Sequence, residues 1–166
     1  KVYILTYKEG ILSPIAHDLK IRVERFDISY DREGERVVGV FDSASLKVVC
    51  AMRDGAEDHA AVSDADKVKI ERNIARDVLA TRRHPSINFI GRVDRTAVPL
   101  RRLGTLTLCG RQREIEVCLK EGDGVLEGAC ELHQPDFGIK PFSALLGALK
   151  IRPTVTVLFN VPDPRI

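Results

Sequence analysis

Apolar and polar residues alternate most regularly in one stretch of this chain, His17-Asp18-Leu19-Lys20-Ile21-Arg22-Val23-Glu24. Because successive side chains of a β-strand point to opposite faces, Leu19, Ile21 and Val23 share one face and the charged residues share the other. His17 falls on the apolar face. The pattern predicts a strand with one buried and one solvated side, and it places a titratable ring at the inner end of that strand.

Length and composition are those of one globular domain spanning residues 1–166. Apolar residues make up 44% of the chain, and 26 basic residues nearly balance 24 acidic ones, for a net charge of +2. This near-neutral balance lacks the basic excess of nucleic-acid-binding proteins, so we expect no nucleic-acid partner. The sequence contains no run of the roughly 18 apolar residues that a membrane-spanning helix needs, and we expect no membrane-spanning helix.

The four cysteines are Cys50, Cys109, Cys118 and Cys130. They show no C-x-x-C spacing, so the sequence predicts neither a cysteine-based zinc site nor a redox motif. A domain of this size builds a sufficient core without disulfides, which favours free thiols and a reducing, cytoplasmic compartment. The alternative is a periplasmic or secreted protein whose leader has been removed, since the sequence given opens on Lys1.

Short strands separated by turns account for most of the chain. Alternation and β-branched residues predict strands over residues 1–8, 17–26, 36–41, 44–52, 87–93, 104–108, 114–119, 125–133 and 154–161. In residues 44–52, the alternation assigns Leu46, Val48, Cys50 and Met52 to one face. Turns are predicted at residues 31–34, 109–111 and 122–124. This arrangement is typical of an antiparallel barrel or sandwich.

One amphipathic helix is predicted over residues of about 64–80. Ser63 stands at its N-cap, with Asp66 three residues later. Ile70, Ile74 and Val78 recur every four residues and form an apolar stripe. We expect this helix to cover one side or end of the sheet.

A second apolar segment has helical spacing. In residues of about 141–149, Phe142, Leu145, Leu146 and Leu149 recur at helical intervals, and Pro141 suits a first helical position. A short apolar helix is therefore predicted. It could plug the barrel, contact a second copy of the chain, or line the mouth of an apolar pocket.

The titratable residues form no recognisable catalytic or metal-binding motif. No two histidines have metal-ligand spacing, and phosphate-loop and nucleophile-elbow patterns are absent from the sequence, so no metal is predicted. Asp18 points away from His17 on a strand, whereas Asp136 could approach it from elsewhere. His17 is either a hydrogen-bonded core residue, a polar anchor for a ligand, or a catalytic group, because a buried polar group needs a partner.

Five stretches together resemble the YceI-like family of lipocalin-like, isoprenoid-binding proteins. They are residues 13–23 with the internal histidine, Val38-Gly39-Val40-Phe41, residues 70–89 ending in His84-Pro85-Ser86-Ile87-Asn88-Phe89, residues 104–110, and Asp136-Phe137-Gly138-Ile139. The resemblance implies an eight-stranded antiparallel barrel with a long apolar tunnel, often as a homodimer. By position, the matching residues are His17, Phe41, Phe89, Asp136 and Phe137.

Three hypotheses follow for function. The first is a non-enzymatic protein, without a cofactor, that carries or sequesters an apolar isoprenoid-type lipid of the quinone or prenyl-phenol class. Its predicted ligand-binding residues are His17, Leu19, Ile21, Val23, Phe41, Leu46, Val48, Phe89, Asp136, Phe137, Phe142 and Val157. The second is an enzyme acting on an apolar substrate, with His17 as acid or base and Asp136 as its partner. The third is a filled, stress-related barrel that dimerises through residues 142–149.

Overall fold

The structure is a computed structural model that describes residues 1–10, 16–31, 36–94 and 101–163. Its strands are β1 (Val2–Thr6), β2 (Lys8–Glu9), β3 (Asp18–Val23), β4 (Phe26–Tyr30), β5 (Arg36–Asp42), β6 (Leu46–Arg53), β7 (Ala56–Asp58), β8 (Ser86–Asp94), β9 (Arg101–Leu108), β10 (Arg111–Glu121), β11 (Val125–His133), β12 (Ser143–Ala144), β13 (Leu149–Ile151) and β14 (Thr154–Pro162). The helix α1 spans Asp64–Asn73. The predicted mainly-β class is confirmed.

Eleven of the strands within these ranges form one sheet, in the order β4-β5-β8-β9-β10-β11-β14-β1-β3-β6-β7. Its pairings are antiparallel, and β12-β13-β2 form a small second sheet. The count differs from the predicted eight because β3 continues into β4, β5 continues into β6, and β7 is a short addition. With each bent strand counted once and β7 left out, the described pairings run around a ring of eight strands, which is the topology of a barrel.

Ser45 holds the bend shared by the two long strands. Its Oγ accepts a hydrogen bond from the Arg25 amide at 3.1 Å and donates one to the Asp42 carbonyl at 2.8 Å. The register continues across the bend, with Phe26 opposite Phe41 on one side and Val23 opposite Leu46 on the other. A buried hydroxyl thus satisfies backbone groups that the bend removes from the ladder.

A β-bulge changes the predicted face of β6. Lys20 lies opposite Cys50, but the next residue of β3, Ile21, lies opposite Val48, so β6 carries one extra residue. Leu46 and Val48 belong to the buried core cluster, as predicted. Beyond the bulge, Ala51 belongs to this cluster and Cys50 does not. The assignment of Cys50 and Met52 to the Leu46 face was therefore wrong, because one inserted residue shifts the alternation.

The predicted helix is confirmed, and its C-terminal part is π-helical. Ser63 caps α1, since its Oγ accepts a hydrogen bond from the Asp66 amide at 3.2 Å. After Asn73 the chain continues as a π-helical turn, Ile74–Val78. Glu71 anchors the helix to the free edge of β6, where its carboxylate accepts the Val48 amide at 2.9 Å and Lys47 at 2.7 Å. None of the helices among the described residues is long and apolar enough to cross a membrane.

Residues 141–149 do not form the predicted helix. They contain β12 and a 3-10 turn, Leu145–Gly147, that leads into β13. Leu145 and Leu146 have φ values of 51° and 55°, and Gly147 has 88°, which are left-handed conformations that end a helix. Pairing of β13 with β12 and β2 stabilises an extended backbone instead.

The turns around residues 109–111 and 122–124 are confirmed as the β9–β10 and β10–β11 connections. The predicted turn at residues 31–34 and the start of the stretch 13–23 fall largely outside the described residues.

Candidate ligand cavity

The ring of strands encloses an apolar cavity of about 580 Å³. Inward-facing residues of the barrel strands form its wall, and Ile70, Ile74 and Val78 of the helical segment cover part of it. Small-molecule sites generally measure about 300–1,000 Å³, and an eight-stranded barrel holds about one small ligand. The cavity thus has the size and lining of a site for one apolar molecule.

Most of the predicted ligand-binding residues line this cavity. They are His17, Leu19, Ile21, Val23, Phe41, Leu46, Phe89, Phe142 and Val157. Alternation along the strands points to most of them, because an inward side chain on a closed barrel faces the lumen. Phe142 was instead predicted from a helical spacing, in a segment that forms β12 and a 3-10 turn.

Three predicted residues do not line it. Val48 and Phe137 are buried in the surrounding core, at 6% and 2% exposure. Asp136 is exposed and lies 3.1 Å from Nδ1 of His133, away from the cavity lining. It occupies a 3-10 turn, Gln134–Phe137, that turns the carboxylate outward. Of the proposed acid–base pair only His17 lines the cavity, so the predicted role of Asp136 as its partner was wrong.

Glycines on the inner wall make room for phenylalanine rings. A Cβ built at Gly91 would lie 2.7 Å from Cζ of Phe89, and one at Gly104 would overlap the same ring. Gly91 and Gly104 are opposite each other on β8 and β9. The Phe89 ring therefore lies against bare backbone of the wall.

The same arrangement recurs at two other places in the barrel. A Cβ at Gly39 would lie 2.9 Å from the ring of Phe41, and one at Gly128 would overlap the ring of Phe159. Phe41, Phe89 and Phe159 all line the cavity. Because these rings pack against glycine backbone, a side chain at any of these glycines would displace a ring that lines the cavity.

Thr6, His17 and Gln134 are polar residues of the lining at one end of the cavity, which we call the upper end: the end where β1 finishes, β3 begins and β11 finishes. The lining also contains polar residues from other elements, Tyr30, Asp66 and Asn73. Thr6, the last residue of β1, is opposite Leu19, and His17 lies two residues before Leu19. The Thr6 hydroxyl is buried and makes no hydrogen bond with any described group. Gln134, next along the chain from β11, is satisfied by the carbonyls of Arg152 and Pro153.

Sequence reasoning missed several members of this lining. Thr6 and Cys130 lie on predicted strands but are not among the predicted ligand-binding residues. Ile70 and Ile74 were predicted only as part of the apolar stripe of a covering helix. Burial raises the pKa of the Cys130 thiol to about 11, so the thiol stays protonated near neutral pH. The signal for Thr6 was available in the alternation of Val2, Ile4 and Thr6.

No protein-family model matches the sequence, and no curated protein matches it. Solved structures do match. BcnA from Burkholderia cenocepacia has a TM-score of 0.58 at 12% identity, covering 96% of this chain and 94% of that one. A polyisoprenoid-binding domain from Saccharophagus degradans, implicated in plant cell wall breakdown, has a TM-score of 0.58 at 14% identity, covering 98% and 93%.

The YceI protein of Campylobacter jejuni matches with a TM-score of 0.56 at 9% identity, covering 85% of this chain and 81% of that one. The chain therefore has the YceI-like fold, and the resemblance found in its sequence motifs is confirmed at the level of fold.

Proposed function

We propose that this YceI-like barrel binds one apolar isoprenoid-type lipid, of the quinone or prenyl-phenol class, and carries or sequesters it. The observation that supports the proposal most directly is the apolar cavity of about 580 Å³ inside a ring of strands. The likeness to a structure described as a polyisoprenoid-binding domain also supports it.

The lining determines which ligands gain from binding. Each buried CH₂ group contributes about 0.8 kcal/mol, so affinity rises with chain length until the cavity is filled. The described lining contains no lysine or arginine, so a carboxylate head group would lose its hydration without gaining a permanent positive charge as partner. A neutral prenyl chain is therefore favoured over a fatty-acid anion.

Thr6 and His17 are the proposed anchor for the polar head of the ligand. Both line the upper end of the cavity, and the Thr6 hydroxyl has no partner among the described groups. A quinone carbonyl would accept a hydrogen bond from this hydroxyl, which otherwise remains an unsatisfied buried group. The neutral Cys130 thiol is compatible with a quinone, because a protonated thiol is a weak nucleophile.

Extraction of the purified protein with organic solvent, followed by mass spectrometry of the extract, tests this function. We expect a prenylated neutral lipid in an amount close to one molecule per chain. An extract without lipid, together with no uptake of an added prenyl quinone, would exclude the proposal. Asp136→Ala is the matched control, since this exposed carboxylate lies outside the cavity lining and its loss should leave uptake unchanged.

A further inference from the structure

We propose that Cys50, Glu57 and His59 form a zinc-binding site on the outer wall of the barrel. One ligand atom from each residue, the thiol Sγ, a carboxylate oxygen and an imidazole nitrogen, lies within 4.8 Å of the others. Within the described part of the chain, this is the one group of three such side chains that converges in this way. None of the three lines the apolar cavity, so the site is separate from the proposed lipid site.

The bulge in β6 and the hairpin after it bring these residues together. Cys50 lies opposite Lys20 at the bulge, on the outer face of the barrel, and its side chain is fully buried. Asp54 and Gly55, with φ values of 51° and 82°, turn the chain back so that β7 pairs with β6. This turn brings Glu57 and His59 close to the Cys50 thiol on the outer face of the barrel.

Neighbouring contacts hold the Glu57 carboxylate in position. Lys20 Nζ lies 2.5 Å from Oε1 of Glu57 and is itself 4.4 Å from the centre of the Tyr3 ring. The other oxygen, Oε2, lies 3.0 Å from Nε2 of His59. One oxygen is therefore fixed by a lysine while the other faces the imidazole, as outer partners orient ligands in metal sites.

The donor set matches zinc. Zinc binds sulfur, nitrogen and oxygen at about 2.0–2.3 Å in a tetrahedron, which puts ligand atoms about 3.2–3.7 Å apart. Glu57 and His59 are exposed, so rotation of their side chains closes the remaining distance. A thiolate with an imidazole favours zinc over magnesium or calcium, and three protein ligands leave a fourth position for water.

Zinc binding is coupled to release of the proton of the Cys50 thiol. Burial raises the pKa of the Cys50 thiol, with a further contribution from the Glu57 charge, so the thiol is protonated before the metal binds. Zinc replaces this proton, which passes to solvent as the Zn–S bond forms. Lys20 and Lys67 act in the opposite sense on the thiol and favour the thiolate.

Titration of the chelator-treated, reduced protein with Co²⁺ tests the site, since tetrahedral cobalt reports its ligands by absorption. We expect one Co²⁺ per chain, with a thiolate charge-transfer band and intense visible bands, both removed by one equivalent of Zn²⁺. Cys50→Ser should abolish the charge-transfer band. His59→Ala changes only an exposed side chain, and it should weaken binding by at least about tenfold, because loss of even an outer partner costs about 10–100-fold.

Two matched variants separate this site from adventitious binding. His133→Ala removes an exposed histidine that also lies beside a carboxylate, Asp136, but has no thiol in its group. Cys118→Ser removes an exposed thiol elsewhere on the barrel. Both should bind Co²⁺ as the parent does. The proposal is overturned by the absence of a charge-transfer band, by its persistence in Cys50→Ser, or by equal losses in His59→Ala and His133→Ala.

Discussion

Gly104 lies directly beneath the ring of Phe89 on the neighbouring strand, so closely that any side chain at this position would overlap the ring. The contact belongs to a set of glycine–phenylalanine pairs that keep three rings against the wall of the barrel. The open volume of the cavity therefore depends on residues that have no side chain of their own.

Gly104→Val is expected to push the Phe89 ring into the lumen and to reduce uptake of an apolar ligand by about tenfold or more. Overpacking of this kind costs about 1–3 kcal/mol of folding free energy. The new Cβ would also lie 2.8 Å from the carbonyl oxygen of Ile90, so the folded state of the variant is checked beside its affinity. Fluorescence titration with a prenylated probe measures the affinity, and thermal unfolding measures the stability. Thr105→Val places the same side chain outside the cavity lining and should bind the probe as the parent does. Equal affinity in both variants would argue against this role of Phe89.

Alternation predicted the barrel wall well, and the reason is local. On β3, β8 and β14, every second residue faces the lumen, so Leu19, Ile21, Phe89 and Val157 could be assigned from spacing alone. The fold class followed from the same periodicity together with turn signals.

The errors arose where the backbone departs from a regular repeat. Because β6 carries one extra residue, Cys50 lies on the outer face, and no residue type in this strand indicates a bulge. Leu145 and Leu146 adopt left-handed conformations, so a segment whose apolar spacing predicts a helix forms a hairpin turn instead. The outward direction of Asp136 depends on a 3-10 turn whose packing involves residues distant in sequence, including Arg111 beside Gly138.

Thr6→Val is expected to have opposite effects on stability and on binding. Removal of a buried, unpaired hydroxyl should raise the free energy of unfolding by about 1–3 kcal/mol, and each kcal/mol corresponds to about 2–4 °C in Tm at this chain length. Affinity for a prenyl quinone should fall between about twofold and tenfold, because one hydrogen bond contributes about 0.5–1.5 kcal/mol. A pure hydrocarbon ligand should bind no worse. Thr107→Val, outside the lining, is the control, and an unchanged quinone affinity in Thr6→Val would remove Thr6 from the anchor.

Asp42→Asn should destabilise the bend in a pH-dependent way. The hydrogen bond from Arg25, with that from the Ala44 amide, lowers the pKa of the Asp42 carboxyl below its ordinary value. A lowered folded-state pKa means that the stabilisation is complete above the unfolded-state pKa of about 3.9 and is lost as pH falls through the folded-state value.

Thermal unfolding at pH 7, 5 and 3 measures this effect. At pH 7 the variant should melt up to about 4 °C lower, since an exposed ion pair contributes about 0.2–1 kcal/mol and 1 kcal/mol corresponds to about 2–4 °C. The difference should narrow at pH 3. A difference that stays constant over this range would contradict the assignment. Asp27→Asn, at an exposed carboxylate of β4, serves as the control.

The homodimer stays a prediction, and two exposed leucines provide its test. Leu145 and Leu146 are 64% and 109% exposed, at the turn between β12 and β13. If this turn contacts a second copy, Leu145→Asp with Leu146→Asp should convert a dimer into a monomer in light scattering. Leu103→Asp, at an apolar side chain of β9 that is 68% exposed, is the matched control. A parent protein that is already monomeric at micromolar concentration would exclude a dimer contact at this turn.

Native mass spectrometry of the delipidated protein with a short-chain prenyl quinone counts the lipid molecules that each barrel holds. We expect one quinone per chain in the parent protein, a strongly reduced fraction in Gly104→Val, and one per chain again in Thr105→Val. An absence of bound quinone in the parent, or equal occupancy in the parent and Gly104→Val, would contradict a lumen held open for a single isoprenoid lipid.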